Sequence, residues 1–187
     1  MNTTRFNTKW LIIPSVLTIA LMLSSFIFSE EKPVKTIEEE TTEEAGLEWH
    51  TDINEVHRIS ESSGKPIFAF FTGSDWCGWC KKLQRNVFAK DAFVEWANDN
   101  VVLLELDFPR KTKLDSVTMA QNYSLQQAFG VRGYPTIWIF NTTINDSTKQ
   151  MNISALGSLG YPSGAEPGKE EVKFLESANL ILANKPK

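Results

Sequence analysis

The chain has very few of the side chains that usually bind transition metals. It contains two cysteines and two histidines among 187 residues. A structural zinc site takes four ligands, almost always cysteine or histidine. The two histidines, His50 and His57, lie in or near the first predicted helix, where polar residues are common. We therefore expect neither a bound metal nor another cofactor.

An excess of positive charge is also absent. Lys and Arg number 19 against 23 Asp and Glu, which gives a formal net charge of −4. Domains that bind nucleic acid are typically basic on one face, so we expect no nucleic-acid partner. The composition is 42% hydrophobic and 22% charged, which is typical of a globular protein. No internal repeat is visible, and the length suits one domain with extensions.

One long hydrophobic run stands near the N-terminus. Residues 10–28 carry no charge, and Arg5 and Lys9 precede them. As a helix the run would be about 28 Å long, close to the thickness of a bilayer's hydrocarbon core. Two interpretations stay open: residues 1–28 are an uncleaved signal anchor, or they are a signal peptide that is removed. In both, the positive residues direct the rest of the chain to a periplasmic or other extracytoplasmic location.

The sequence after this run divides into two parts. Residues 29–46 are polar and acidic, a composition typical of a disordered linker. Residues 47–187 show the alternating patterns of a folded domain, in which Asp52 is placed to cap the first helix and Gly64 to end it. Further helices are expected at about 77–86, 91–97, 118–129 and 169–183, and strands at 67–71, 101–107, 136–140 and 151–156. This order predicts an α/β fold with a central mixed sheet flanked by helices.

The cysteines form one compact motif. Cys77 and Cys80 are separated by two residues and directly follow a buried strand, at the point where a helix is expected to begin. Such spacing lets two thiols cycle between dithiol and disulfide, and a helix N-terminus stabilises the attacking thiolate. We assign Cys77, expected to face solvent, as the nucleophile and Cys80 as the buried resolving thiol. An inert structural disulfide is the alternative, but closing so short a loop would add little stability.

Two motifs together carry a resemblance to a known family. The segment Trp76-Cys77-Gly78-Trp79-Cys80-Lys81 follows an apolar strand, and Gly133-Tyr134-Pro135-Thr136 comes later in the chain. This combination resembles the thioredoxin superfamily over roughly residues 47–184. It is similar to bacterial extracytoplasmic thioredoxin-like proteins, including the C-terminal domain of the membrane thiol:disulfide interchange reductase. The resemblance implies a thioredoxin-like fold and thiol:disulfide oxidoreductase activity.

The resemblance also implies roles for residues around the cysteines. Pro135 matches the family's cis-proline, whose loop faces the cysteine pair and contacts the substrate backbone. Tyr134 precedes it and would influence which substrates fit. Trp76 matches the aromatic residue beside the nucleophile. Gly78 and Trp79 tune reactivity, and all three residues belong to the expected substrate-binding surface.

One position departs from the family pattern. Thioredoxins usually carry a buried aspartate on the strand before the motif, where it accepts a proton from the resolving cysteine, and the matching residue here is Phe71. Another group or a water molecule must take that role. Glu105, Asp107 and Asp75 are the candidates, the first two because the two-residue period of a strand places them on one side of it.

The direction of electron flow is a further expectation. The Gly-Trp pair between the cysteines differs from the Gly-Pro of thioredoxins and from the Pro-His of strong oxidants. Because no histidine lies between the cysteines, we expect a reductase of protein or small-molecule disulfides that an upstream dithiol donor recharges. The alternatives are a disulfide oxidase or isomerase, and a non-catalytic binding module or metallochaperone. Residues 10–28, if retained, would attach the protein to the membrane.

Overall fold

The computed structural model describes residues 46–184. The predicted signal or anchor segment and almost all of the predicted linker lie outside this range. Within it, no helix has the length and apolar character required to cross a membrane.

Helices and strands alternate along the described residues. The strands are β1 Trp49–His50, β2 Ile67–Thr72, β3 Val102–Asp107, β4 Thr136–Ile144 and β5 Met151–Leu159. The helices are α1 Ile53–Ser63, α2 Gly78–Leu83, α3 Asp91–Asn100, α4 Ser116–Ala128 and α5 Glu170–Ala183, and a π-helical turn over Gln84–Phe88 continues α2.

The five strands form one mixed sheet in the order β1-β3-β2-β4-β5. Strands β1 and β2 both pair with β3 in parallel. Strand β4 pairs antiparallel with β2 and with β5. Every residue of the central strand β2 is buried, as expected where helices cover both faces of a sheet. The predicted α/β class and mixed sheet are confirmed.

Alternate side chains of β2 point into two separate hydrophobic clusters. Phe68 and Phe70 pack with both cysteines and with aromatic residues of α3 and α5. Ile67, Ala69 and Phe71 pack on the other face, with residues of α1 and α4. Burying one such side chain contributes about 1.5–3 kcal/mol. The face that holds Phe68 and Phe70 is called the cysteine face below.

The ends of α1 follow the predicted signals. The Asp52 carboxylate accepts a hydrogen bond of 2.8 Å from the Asn54 amide at the start of the helix. Gly64 ends it in a left-handed conformation with a φ of 70°, which glycine adopts without the steric cost of a side chain.

Several boundaries differ from the prediction. The parallel strand β1 was not expected, and β4 continues through Ile144, four residues beyond its predicted end at residue 140. Polar residues can stay in β4 because its pairing with β5 supplies their backbone hydrogen bonds while one face of the hairpin meets solvent. On α5, Phe174 and Ala178 are buried, whereas Val172 is 45% exposed.

Candidate active site

The chain enters the cysteine motif through a tight turn after β2. The amides of Trp76 and Cys77 both donate to the Gly73 carbonyl, at 3.2 and 2.8 Å. Cys77 is the N-cap of α2, and its Sγ accepts a hydrogen bond of 3.1 Å from the Cys80 amide. The predicted strand-to-helix junction is therefore present, with an N–H group aimed at the sulfur of Cys77.

Cys77 and Cys80 form a disulfide, with their Cα atoms 5.3 Å apart. Cys77 is 4% exposed and Cys80 is 1% exposed. The expectation that Cys77 faces solvent is therefore wrong for the disulfide form. The physical reason is that the N-cap position turns its side chain over the first turn of α2, into the cluster against which Trp76 and Tyr134 also pack.

Trp76 is partly buried and is held by contacts with several neighbouring segments. Its indole Nε1 donates to the Phe108 carbonyl at 2.8 Å, and its ring meets that of Tyr134 edge to face at 5.7 Å. The Arg110 guanidinium carbon lies 3.7 Å from the ring centroid. Gly73 lies so close to the same ring that a Cβ at this position would come within 2.5 Å of it. The position of Trp76 thus depends on a glycine and on the segment that follows β3.

Two aspartates join the segment that follows β3 to the turn before Cys77. The Asp75 carboxylate accepts hydrogen bonds from the amides of Arg110, Lys111 and Thr112, the shortest at 2.6 Å. The Asp107 carboxylate accepts from the amide and hydroxyl of Ser74 at 2.8 and 2.6 Å. The Arg110 amide, followed by those of Lys111 and Thr112, lowers the pKa of Asp75. Residues 107–112, called the basic loop below, are therefore built into the site.

Trp79, unlike Trp76, lies largely in solvent. It is 57% exposed, and its ring meets that of Tyr161 edge to face at 5.1 Å. Lys82 Nζ lies 5.0 Å from the centroids of both rings. These three side chains line one wall of a groove of about 420 Å³, which residues of the segment between β5 and α5 complete. Nothing within 4 Å faces Gly78, so the start of α2 is open.

The loop before β4 lies against the cysteine motif. The Tyr134–Pro135 peptide bond is cis, as the resemblance implies. The Tyr134 ring contacts Trp76 and stacks on Phe108 at 5.2 Å, and its hydroxyl accepts a hydrogen bond of 2.6 Å from Gln126. Burial raises the pKa of Tyr134 to about 12. The phenol is therefore neutral at physiological pH and acts as a hydrogen-bonding and packing group.

The three candidate proton acceptors have different surroundings. Asp75 and Asp107 are both hydrogen-bonded to the segments around them, as described above. Glu105 pairs in register with Phe70 and lies two residues after Leu103, a member of the cysteine-side cluster, so the strand period places it on the cysteine face. Burial, followed by the nearby charge of Asp107, raises the pKa of Glu105. Phe71 points to the other face and stacks on Phe108 at 6.4 Å.

The histidines take no part in this site. His50 belongs to β1. The buried His57 has its Nδ1 2.8 Å from the Thr142 hydroxyl. Within residues 46–184, no group of three or more His, Cys, Asp or Glu side chains is arranged to hold a metal ion.

Sequence reasoning missed two parts of the site. Tyr161 reaches Trp79 from the segment after β5, and the basic loop reaches Asp75 from the segment after β3. The run of Arg and Lys was visible in the sequence. Its attachment was not, because backbone amides that donate to a distant carboxylate leave no pattern in the side chains.

The chain matches a thioredoxin-like domain family model over residues 53–145. It is 31% identical to the disulfide bond reductase DsbH of Chlamydia pneumoniae over 119 residues, which are 64% of this chain and 70% of that protein. The chain belongs to the thioredoxin-like family. The thioredoxin-related protein DsbJ of the same organism is 23% identical over 180 residues, 96% of this chain, and the match spans only 47% of DsbJ.

Solved structures agree with this membership. A DsbH oxidoreductase structure superposes with a TM-score of 0.60 at 26% identity, covering 75% of this chain and 88% of the other. A thioredoxin from Thermus thermophilus shares the fold alone, with a TM-score of 0.50 at 14% identity over 73% of this chain and 88% of its own. Together with the Cys77–Cys80 disulfide, the family identifies a thiol:disulfide oxidoreductase.

Proposed function

We propose that this protein reduces protein disulfides outside the cytosol, with Cys77 as the nucleophile and Cys80 as the resolving thiol. The observation that supports Cys77 as the nucleophile is its hydrogen bond with the Cys80 amide, whose N lies 3.1 Å from Cys77 Sγ. An N–H donor stabilises a thiolate more than a thiol, so it favours ionisation of the sulfur that it contacts. The relative named a disulfide bond reductase supports the direction.

The proposed reaction transfers two electrons from the dithiol to the substrate. The Cys77 thiolate attacks one sulfur of the substrate disulfide, which breaks the S–S bond and releases one substrate thiolate that takes up a proton. Cys80 then loses its proton and attacks Cys77 Sγ, which releases the second substrate thiol. The enzyme is left with the Cys77–Cys80 disulfide seen in the structure. An upstream dithiol donor restores the reduced pair.

Glu105 is our choice of proton acceptor for Cys80. It is half-buried on the cysteine face, and its pKa is raised above its ordinary value of 4.5, which brings the carboxylate closer to a working general base. Asp75 and Asp107 bind amide and hydroxyl donors instead.

Replacing Glu105 with Gln tests this role. The variant should resolve mixed disulfides more slowly at neutral pH and should lose the acidic limb of the pH–rate profile, whereas Glu95→Gln, an exposed change on α3, should alter neither. Because folding raises the pKa of Glu105, the stability linked to its proton is present at low pH and is lost as the pH rises. E105Q should therefore unfold at a higher temperature than the wild type at pH 7. An unchanged pH–rate profile would exclude Glu105 as the acceptor.

The open surface around the disulfide is proposed to bind the substrate. Tyr134 and Pro135 would contact its backbone beside Trp76, and Gly78 and Trp79 would present the accessible end of α2. Residues 1–28 would place the domain outside the cytosol, either attached to the membrane or released, with residues 29–46 as the spacer.

Trapping and a redox titration together test the proposed function. A Cys80→Ala variant should accumulate mixed disulfides with substrate proteins through Cys77, and a Cys77→Ala variant should accumulate none. The wild-type reduction potential should lie well below that of known oxidants and isomerases. Failure to trap any protein would contradict the resolving role. A potential between about −120 and −180 mV would show that the protein oxidises or isomerises disulfides instead.

A further inference from the structure

Two cations lie over the two tryptophans of the motif. Arg110, from the basic loop, is 3.7 Å from the ring centroid of Trp76. Lys82, on α2, is 5.0 Å from the ring centroid of Trp79. Trp76 precedes Cys77 and Trp79 precedes Cys80. Each cysteine therefore follows a tryptophan whose ring lies against a positively charged side chain.

The two cations approach the disulfide from opposite directions. The basic loop follows β3, which pairs with one edge of β2, whereas Lys82 faces Tyr161 from the segment after β5, beyond the other edge. A polypeptide lying across the cysteine pair would meet one positive charge before its cystine and another after it.

Among the residues that the structure describes, neither cation has a carboxylate partner. The ion pairs found within residues 46–184 join His50 to Glu48 and Glu55, and Lys169 to Glu166. Stacking on an aromatic ring holds a guanidinium or ammonium group in place and leaves its N–H donors available at the edge. Both groups are thus positioned in advance, which lowers the entropy cost of binding an anion.

The neighbouring carboxylates, in contrast, already have donors within the fold. Asp75 accepts from three backbone amides, and Asp107 accepts from Ser74. Glu170, at the groove beside Tyr161, accepts from the Gly168 amide at 2.9 Å and from Asn86 at 3.3 Å. These three carboxylates are therefore hydrogen-bonded within the fold, while the two cations are open to a ligand.

We propose that the substrates are polypeptides whose cystine is flanked by acidic residues, which Arg110 and Lys82 bind. This inference rests on the proposed reduction of protein disulfides at Cys77. The chain as a whole carries a net charge of −4, so its overall charge repels an acidic substrate, which Arg110 and Lys82 attract locally. Such a distribution orients the substrate during its approach and raises its association rate. The exposed ring of Trp79 packs against the apolar part of the same segment.

A matched pair of cystine peptides tests the preference. The peptides have the same length and differ only in having Glu or Lys on both sides of the disulfide. We expect the wild type to reduce the Glu peptide with a kcat/KM about tenfold higher at low ionic strength. The ratio should approach one at about 1 M salt, where the Debye length is about 3 Å. A ratio near one at low salt would overturn the inference while leaving the reductase intact, and failure to reduce either peptide would overturn the proposed function itself.

Charge variants identify the side chains responsible. Lys82→Gln and Arg110→Gln each remove one charge, and each should lower the Glu-to-Lys ratio about threefold, since each supplies about half of a tenfold effect. Lys149→Gln is the matched control, because Lys149 lies in the turn after β4, about 30 Å along that strand from Pro135, and it should keep the full ratio. A ratio that survives both site variants would overturn the assignment. Since the readout is a ratio measured on one enzyme, partial loss of folded protein does not change it.

Discussion

Trp76 and Trp79 lie three residues apart beside the same disulfide, yet the fold surrounds them differently. Trp76 is hydrogen-bonded to Phe108, stacked beneath Arg110 and packed on Tyr134. Trp79 is 57% exposed, its ring meets that of Tyr161, and Lys82 lies over it. We propose that the difference reflects two tasks: Trp76 holds the surroundings of Cys77 in place, and Trp79 contacts the substrate.

Replacing each tryptophan with alanine should separate these tasks most strongly. Trp76→Ala removes packing on several sides and leaves the Phe108 carbonyl without its donor, so we expect a loss of about 3 kcal/mol in the free energy of unfolding. Trp79→Ala removes one exposed ring contact, worth about 1 kcal/mol or less. Denaturant unfolding of the reduced and oxidised proteins measures both. Equal losses would contradict the division of roles.

Adding a methyl group beneath Trp76 should have the next largest effect. Gly73→Ala would bring a Cβ within 2.5 Å of the indole ring. The ring cannot move away without breaking its hydrogen bond to the Phe108 carbonyl. We expect a loss of about 1–3 kcal/mol and slower disulfide reduction. Gly78→Ala is the matched control for stability, because nothing within 4 Å faces that glycine. An unchanged melting temperature in G73A would show that Trp76 is free to move.

The stability that the basic loop contributes on the Trp76 side of the site should also depend on pH. Asp75 holds the basic loop against Trp76, and its hydrogen bonds keep its pKa below 3.8 in the folded protein. Its stabilising effect is therefore present above the unfolded pKa and is lost as the pH falls through the folded value. Asp75→Asn should lower the melting temperature at pH 7, and the difference from the wild type should shrink below about pH 4. A difference that stayed constant with pH would exclude the carboxylate as its source.

Local features of the sequence predicted much of the fold. The uninterrupted apolar run of β2 gave a buried central strand, Asp52 and Gly64 marked both ends of α1, and the cysteines lie at the predicted junction. These features follow from neighbouring residues, whose chemistry the sequence shows directly. The thioredoxin-like resemblance then identified Pro135, and its peptide bond is cis.

Features that depend on distant residues could not be predicted. Strand β1 has two residues, too few for any periodicity, and exists because it pairs with Leu103 and Leu104. The exposure of Val172 depends on how α5 is rotated against the sheet, which its own pattern did not determine. The burial of Cys77, the anchoring of the basic loop and the contact between Trp79 and Tyr161 all arise from tertiary packing.

Reduction of insulin by single-cysteine variants shows whether Cys77 is the nucleophile of disulfide reduction. With a dithiol donor present, the wild type should reduce insulin at a steady rate, and Cys77→Ser should reduce it no faster than the donor alone. Cys80→Ser should form a mixed disulfide but turn over slowly, since it cannot resolve it. Wild-type activity in the Cys77→Ser variant would show that Cys77 is not the nucleophile.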